Sequence, residues 1–487
     1  MELKSIRVNA ILNIIYTISN IVFPMITFPY VSRILMADGM GKVSFFTAVA
    51  NYAIMIASLG ITTYGIRATA KVRDNKHELS KTVAELLIIN IIMTAIVIVM
   101  LFASIPLVDK FQDDISLLII NSVLIIGSAL GINWLYSGLE QYSYITKRSI
   151  VFKFISLILV FLLVHERKDY AIYAAIVAFS TTGSYLLNFI YARKFISFKK
   201  LGKLNLTQHF KPMMLLFASI LAVNVYTNLD TVMLGFISGD REVGLYTVAA
   251  KVKWLLLSVI NAISAVLLPR LSYYISEKKT DEFNRILRKS IVIIFMLSIP
   301  LTAFFIMEAR DSILLLGGED YTGATLCMRI VLPILLISGF SNITGNQILI
   351  PLGKESCFMK AVIAGSFMDL ILNALLMPKY GSVGAAIATL IAECTQMSIQ
   401  FYFAKEYVWN NIQKKSVGKI AISTLVAVVV VLCMKATLKV QVENYTVSAF
   451  VNLVIYSVAF FGIYGVMMLL TKEIYCRELL GSVLKRN

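Results

Sequence analysis

The sequence predicts an all-α polytopic membrane protein with about fourteen transmembrane helices, and three observations carry that expectation. Of 487 residues, 58% are hydrophobic and 15% charged, with mean hydropathy +0.80, so little polar surface is left to coat a water-soluble core. Apolar stretches long enough to cross a bilayer, roughly 20 residues each, recur along the whole chain. The formal charge of +17 resides in short basic segments between those stretches, without the amphipathic or aromatic-interleaved surface that nucleic acid would need.

The apolar runs lie near 8–35, 43–63, 83–106, 115–138, 149–164, 170–192, 212–237, 245–268, 290–307, 323–348, 357–377, 382–404, 420–434 and 446–470. The first follows Lys4 and Arg7 as a signal peptide would. It is too long for one, lacks a small-residue cleavage site and contains Pro24 and Pro29, so it reads as a retained span. If the N-terminus is cytoplasmic, the inside segments carry far more Lys and Arg than the outside ones, and Asp and Glu do not follow that bias. Both termini are therefore expected inside. The basic segments Arg67 to Lys81, Arg193 to Lys211 and Arg270 to Lys289 then rest on anionic lipid as topology determinants. The connections are too short for a sizeable soluble domain.

An internal repeat emerges at an offset of 203 residues, which lays Gly41 on Gly244, Arg67 on Arg270, Asp74 on Glu277 and Lys76 on Lys279. Each half has a short outer turn, an apolar span and a basic cytoplasmic segment. Two parallel six-helix repeats follow, 1–205 and 206–410, with two extra C-terminal helices and a tail in 411–487. Six spans return the chain to its starting side, so the copies share one orientation and a substrate site is expected between them.

Charged groups at membrane depth cost about 2.5–3.5 kcal/mol each, so they face a cavity, a partner or the interface. Those singled out are Glu85, Asp230, Lys251, Lys253, Arg329, Asp369 and Glu393, all but Glu85 in the second half. Asp230 and Lys251 fall at matching depths on adjacent antiparallel spans, roughly 10–13 Å in. They read either as a substrate-facing cation oriented by a carboxylate or as an ion pair that only joins helices. Lys253 points some 200° away from Lys251, so at most one lysine faces a cavity directly. Asp369 and Glu393 have Asn373, Gln396 and Gln400 near them on helical spacing. A close approach of the carboxylates would suit a proton or cation relay, and neutralisation by Arg329 is the competing reading. Arg329 is also near enough to its span's end to snorkel. Asn9, Asn13, Tyr16 and Asn20 draw a polar stripe down the first span, as do Asn224, Thr227, Asn228 and Thr231 in the seventh. Such stripes fit a hydrated sugar path or interhelical hydrogen bonds. Pro24, Pro29, Pro300 and Pro333 are bending points or ordinary kinks.

Other chemistry has no support in the residues. His77, His165 and His209 are scattered in predicted loops, which argues against a metal or catalytic histidine cluster. The cysteines at 327, 357, 394, 433 and 476 are far apart with no CxxC and read as apolar packing groups. No GxxxxGK[ST] occurs, so neither ATP hydrolysis nor any cofactor is expected.

Four stretches carry a resemblance: FPYVSRILMADGMGKVSFF at 28–46, SLGITTYGIRATAKVRDNKHELSK at 58–81, NWLYSGLEQYSYI at 133–145 and YTNLDTVMLGFISGDREVGLYTVAAKV at 226–252. In order and spacing they resemble the polysaccharide-transporter branch of the multidrug/oligosaccharidyl-lipid/polysaccharide exporter superfamily, the repeat-unit flippases for O-antigen and capsule. The resemblance implies a V-shaped, alternating-access pair of bundles in a bacterial cytoplasmic membrane, and no enzyme. It would move undecaprenyl-pyrophosphate-linked oligosaccharide from the inner to the outer leaflet, possible partners being a polysaccharide polymerase and chain-length machinery. It also implies a cationic cavity for the pyrophosphate, a role carried to Lys251, Lys253, Arg33 and Arg329, with Arg33 at the outer end of its span. Asn13, Asn20, Asn224 and Asn228 would contact sugar, and Asp369, Glu393 and Asp230 would serve ion coupling. A multidrug/cation antiporter of the same superfamily is the alternative.

Overall fold

The computed structural model describes residues 6–199, 201–437 and 443–476; within its helices, the side chains of 6, 7, 9, 10, 218–220, 222–227, 263 and 265 lie outside the description. The described residues are helical and form no strand. Ten helices among them are long and apolar enough to cross a membrane. Two compact units divide the chain, Met1–Gly244 and Leu245–Asn487.

The first unit runs through α1 (Ile6–Ser58), α2 (Ile61–Val72), α3 (Lys76–Ala103), α4 (Asp109–Asp113), α5 (Ile115–Leu130), α6 (Asn133–Gly138), α7 (Tyr142–Leu163), α8 (Tyr170–Ala192) and α9 (Thr207–Ile237). Its boundary falls near the start of α10 (Asp240–Ser276). The second unit continues with α11 (Thr280–Met307), α12 (Ala309–Leu316), α13 (Ala324–Val331), α14 (Ile334–Asn342), α15 (Glu355–Asn411), α16 (Lys414–Thr437) and α17 (Tyr445–Leu470). A π-helical stretch, Ile343–Leu349, extends α14.

Two expected pairs of spans, one in α1 and one in α15, are joined directly through a break in the helix. In α1 the break is Met36, at φ 59° and ψ −177°; in α15 it is Gly381, at φ 52°. Gly381 has no Cβ to oppose a positive φ, whereas Met36 pays about 1 kcal/mol for it. Gly239, which the 203-residue offset lays on Met36, also has positive φ, 90°. Helix starts follow local chemistry: Asn75 and Asn444 cap α3 and α17 by accepting two backbone N–H bonds each. Pro333 stands between α13 and α14, while Pro24, Pro29 and Pro300 are carried inside helices.

Many large apolar side chains are exposed on the outside, while several polar ones are fully buried. Val99, Met100 and Val458 are among many exposed large hydrophobics, whereas Asp369, Asn373, Gln347 and Gln400 are fully buried. That inversion suits a hydrocarbon solvent. Small residues permit the closest approaches. A Cβ on Gly65 would lie 2.7 Å from the Trp134 ring, and one on Gly138 would lie 2.1 Å from the Thr69 hydroxyl, which binds α2 tightly to α6.

The turn after Met36 meets the start of α10 in the same way. A Cβ on Gly41 would fall 1.7 Å from the carbonyl oxygen of Asp240, and one on Gly244 would fall 2.0 Å from that of Ala37. The two contacts are reciprocal, because Asp240 is the offset partner of Ala37. Charges surround them: Lys42 to Asp114 at 2.6 Å, Lys110 to Asp240 at 2.6 Å and Arg241 to Asp38 at 3.2 Å. Gly41→Ala and Gly244→Ala are each expected to destabilise the protein by about 2–4 kcal/mol. Gly418→Ala, where nothing lies within 4 Å, should stay within about 1 kcal/mol of the parent. Thermal unfolding of the purified protein in detergent checks the contrast, and equal melting temperatures would remove these glycines from the packing argument.

Candidate functional site

The polar side chains inside the helices form separate groups, one set in each unit. In the first unit, the stripe on α1 meets a lysine. Lys153 Nζ on α7 donates to Ser19 Oγ at 3.0 Å and to Asn20 Oδ1, and lies 5.3 Å from the centre of the Tyr16 ring. Thr146 Oγ1 on the same helix donates to the Leu12 carbonyl at 3.0 Å. Part of the α1 stripe is thus an interhelical hydrogen-bond seam, one of the two readings its spacing allowed. Asn13 is exposed, and the side chain of Asn224 lies outside the described ones. Asn228 is half-buried on α9.

Lys153 was not among the charges singled out in sequence. It follows Lys147 and Arg148 so closely that it reads as the basic flank of its span, although the flanking FKFISLILVF places it well inside an apolar run. Arg148 itself is buried, and its Nη2 donates to Asn133 Oδ1 at 3.0 Å. That oxygen also accepts from Asn188 Nδ2 at 2.9 Å, so one amide joins α6, α7 and α8.

Glu85 finds a partner that its sequence position concealed. His209 lies in α9, not in a loop, and its Nε2 is 2.8 Å from Glu85 Oε2. The second carboxylate oxygen accepts the Asn205 N–H at 2.7 Å, and Gln208 Nε2 donates to the first at 2.9 Å. His209 Nδ1 is 2.9 Å from the Tyr64 hydroxyl. If Glu85 accepts from Nε2–H, Nδ1 is the ring nitrogen that meets the Tyr64 hydroxyl. Glu85 and His209, 1% and 5% exposed, fasten the segment entering α9 to α2 and α3.

The second unit holds an uncharged ladder beside two carboxylates. On α15, Gln400 Oε1 accepts from Ser341 Oγ at 2.8 Å and from Thr344 Oγ1 at 3.0 Å, and Gln396 Nε2 donates to Ser341 at 3.3 Å. Glu393 Oε2 accepts the Ser338 hydroxyl at 3.0 Å, and Asp369 Oδ2 accepts Asn373 Nδ2 at 3.1 Å. The helical spacing of 393, 396 and 400 thus becomes a stripe bonded to α14 and its π-helical extension. Gly365 brings the two legs of α15 together, since a Cβ there would be 3.1 Å from the Ala392 carbonyl. Asp369 is one turn from that crossing, and Glu393 is adjacent to Ala392. The π-helix adds a second bridge, in which Gln347 accepts from Ser290 at 2.6 Å and donates to Ser264 at 2.9 Å.

The expected cations are distributed differently. Arg329 is exposed in the last turn of α13, so the structure does not place it as the counter-charge for Asp369 or Glu393. Arg33 bonds the Pro29 carbonyl of its own helix and is half-buried. Lys251 and Lys253 are both half-buried on α10, and Asp230 is buried on α9. Lys435 pairs with fully buried Glu308 at 2.7 Å and bridges α16 to the start of α12. Burial pushes the Glu308 carboxyl above the ordinary carboxylate range, and Lys435 pulls it partly back.

Helical units with apolar exteriors and buried polar ladders define a multi-pass membrane protein. The fold is similar to that of the lipid II flippase MurJ in an inward closed conformation, with TM-score 0.74, 16% identity, and coverage of 97% of this chain and 100% of that one. An inward-facing multidrug-resistance MATE transporter superposes with TM-score 0.63 and 15% identity over 82% of this chain and 94% of that one. The chain belongs to the polysaccharide biosynthesis protein family, whose model matches residues 6–275; a MatE model matches residues 216–375. The "Putative O-antigen transporter" of Escherichia coli (strain K12) is 25% identical over 412 residues, covering 82% of this chain and 97% of that protein.

Removing Glu85 takes from a buried imidazole its 2.8 Å contact, so Glu85→Ala should cost about 3 kcal/mol of stability. Because both residues act through one contact, the Glu85→Ala, His209→Ala double variant should lose at least about 1 kcal/mol less than the sum of the singles. A double-mutant cycle by thermal unfolding measures this term, and additivity would mean that the pair is not coupled.

Proposed function

We propose that this chain is a flippase carrying undecaprenyl-pyrophosphate-linked oligosaccharide repeat units from the inner to the outer leaflet of a bacterial cytoplasmic membrane, for O-antigen or capsule assembly. The observation that carries the reading is the alignment with the Escherichia coli relative along nearly its whole length. The transporter fold fits a carrier, and no catalysis is assigned to the chain. A polysaccharide polymerase and its chain-length machinery would act on the delivered units.

In this reading the chain crosses fourteen times with both termini cytoplasmic. Support comes from the breaks at Met36 and Gly381, which divide α1 and α15 into two legs each, and from α7 and α9, which add to the ten apolar helices. Segments 1–205 and 206–410 are parallel six-helix repeats of a V-shaped, alternating-access bundle, and 411–487 is an addition. The reciprocal contacts of Gly41 and Gly244 support that duplication.

For the substrate, Lys251 and Lys253 serve the pyrophosphate, with Arg33 and Arg329 in lesser roles, while Asn13, Asn20, Asn224 and Asn228 offer amides to sugar. Asp369, Glu393 and Asp230 couple transport to an ion. The carboxylate-bearing ladder of α15 supports that part, since a buried acid near neutral hydrogen-bonding groups can take up a proton or a cation. The MatE match over 216–375 favours a second reading, a multidrug/cation antiporter in which those carboxylates bind drug.

A deletion strain should accumulate lipid-linked repeat units on the inner leaflet and lose surface polysaccharide, with unchanged drug susceptibility. Changed drug susceptibility without accumulation would replace the flippase with the antiporter. Lys251→Ala should cut complementation at least about tenfold and Lys251→Arg much less, because a charge that only contacts phosphate tolerates exchange. Full complementation by a well-expressed Lys251→Ala protein would reduce that lysine to scaffold.

A further inference from the structure

A cavity of about 510 Å³ opens between α7 and α8, and none of the groups assigned to transport is among its lining residues. Its polar end is formed by Lys147 and Arg148, its wall by Tyr144 and Tyr191, and its apolar end by Val151 and Leu187. The tyrosine wall is rigid: the rings stack with centroids 4.0 Å apart, and the Tyr144 hydroxyl donates to the Leu187 carbonyl at 2.9 Å.

Arg148 is the unusual member. It is 6% exposed; among the described residues its Nη2 donates to Asn133 Oδ1 at 3.0 Å, and Nε and Nη1 reach no acceptor. Neither Asn133 nor the Tyr144 ring, 5.5 Å from the guanidinium carbon, carries compensating charge. The acid nearest in sequence, Glu140, is committed to Arg73 at 3.0 Å, and among the described residues no carboxylate lines the cavity. A buried guanidinium with two donor nitrogens unused, and no anion beside it among the described residues, is incomplete as a structural device. Lys147, exposed at the rim, adds a second positive charge.

The unused donors match oxygens of a tetrahedral anion, and the second cation matches its charge. The rest of the cavity selects the molecule that bears the anion. One turn further along α7, Val151 is 54% exposed, and across the groove Leu187 is 43% exposed, so the cationic end leads straight onto an apolar, outward-facing surface. An ion at one end and hydrocarbon at the other is the pattern of an amphiphile's headgroup and chain.

We infer that this cavity is a binding site for a lipid bearing a negatively charged phosphate, gripped by Arg148 and Lys147 with its chain along Val151 and Leu187. The site does not depend on the transport reading, because any anionic phospholipid meets its chemistry.

The test uses the delipidated full-length protein in detergent, titrated separately with dioleoyl phosphatidylglycerol, dioleoyl phosphatidylcholine and inorganic phosphate. Native mass spectrometry counts retained lipid, and thermal unfolding follows stabilisation. The parent protein should retain phosphatidylglycerol at least about tenfold better than phosphatidylcholine. Arg148→Gln and Lys147→Gln should each weaken that preference at least about fivefold, with Arg148→Lys intermediate because it keeps charge without the fork. Lys147 is exposed, so its variant reports on the site even if Arg148→Gln fails to fold. No preference in the parent, or an undiminished preference in Lys147→Gln and Arg148→Lys, would overturn the site. Stabilisation by inorganic phosphate equal to that by phosphatidylglycerol would overturn the lipid assignment.

Discussion

Inside hydrocarbon no water is present to bond a free N–H or C=O, so a segment that crosses must close its backbone hydrogen bonds within itself. The helices of this chain answer that constraint, and the side chains then divide by solvent: aliphatic groups face outward, and Asn, Gln, Ser, Thr and the carboxylates turn inward. With no hydrophobic force to press helices together in lipid, cohesion falls to close packing at small residues and to interhelical polar bonds. Gly65 against Trp134, Gly41 against Asp240 and Gly365 against Ala392 are the first kind; Lys153 with Asn20 and Gln400 with Ser341 are the second.

The same polar bonds hold structure together and furnish candidate chemistry. In a ladder such as Ser338–Glu393 and Ser341–Gln400 the carboxylate and the amide oxygen accept from hydroxyl groups, which are neutral partners. Glu85 differs, because its two oxygens are occupied by His209, Gln208 and the Asn205 N–H, the environment of a fastening. Two buried acids in similar apolar runs therefore hold different positions, decided by what faces them.

Departures from regular helix fall where the chain must redirect. Met36 and Gly381 break the two longest helices at positive φ, and the π-helical turn at Ile343–Leu349 presents Thr344 and Gln347 to different neighbours. A wider helix shifts the facing of side chains by a fraction of a turn. That shift lets consecutive polar residues of one apolar run bond to separate helices.

By itself the sequence determined that the chain is helical and membrane-embedded, because run length and hydropathy are local properties that hydrocarbon thickness converts directly into crossings. It also pointed to Gly41 and Gly244, and the structure shows why neither carries a Cβ: each lies against a backbone carbonyl. The stripe Glu393, Gln396, Gln400 was legible because a helix puts such residues on one face. Only the tertiary structure decided the partners: that His209 meets Glu85 across 124 residues, that Lys153 meets Asn20, that Arg329 is exposed, and that Arg148 is buried with donors to spare. Contacts between distant helices depend on how whole helices rotate and cross, and no window of sequence carries that information.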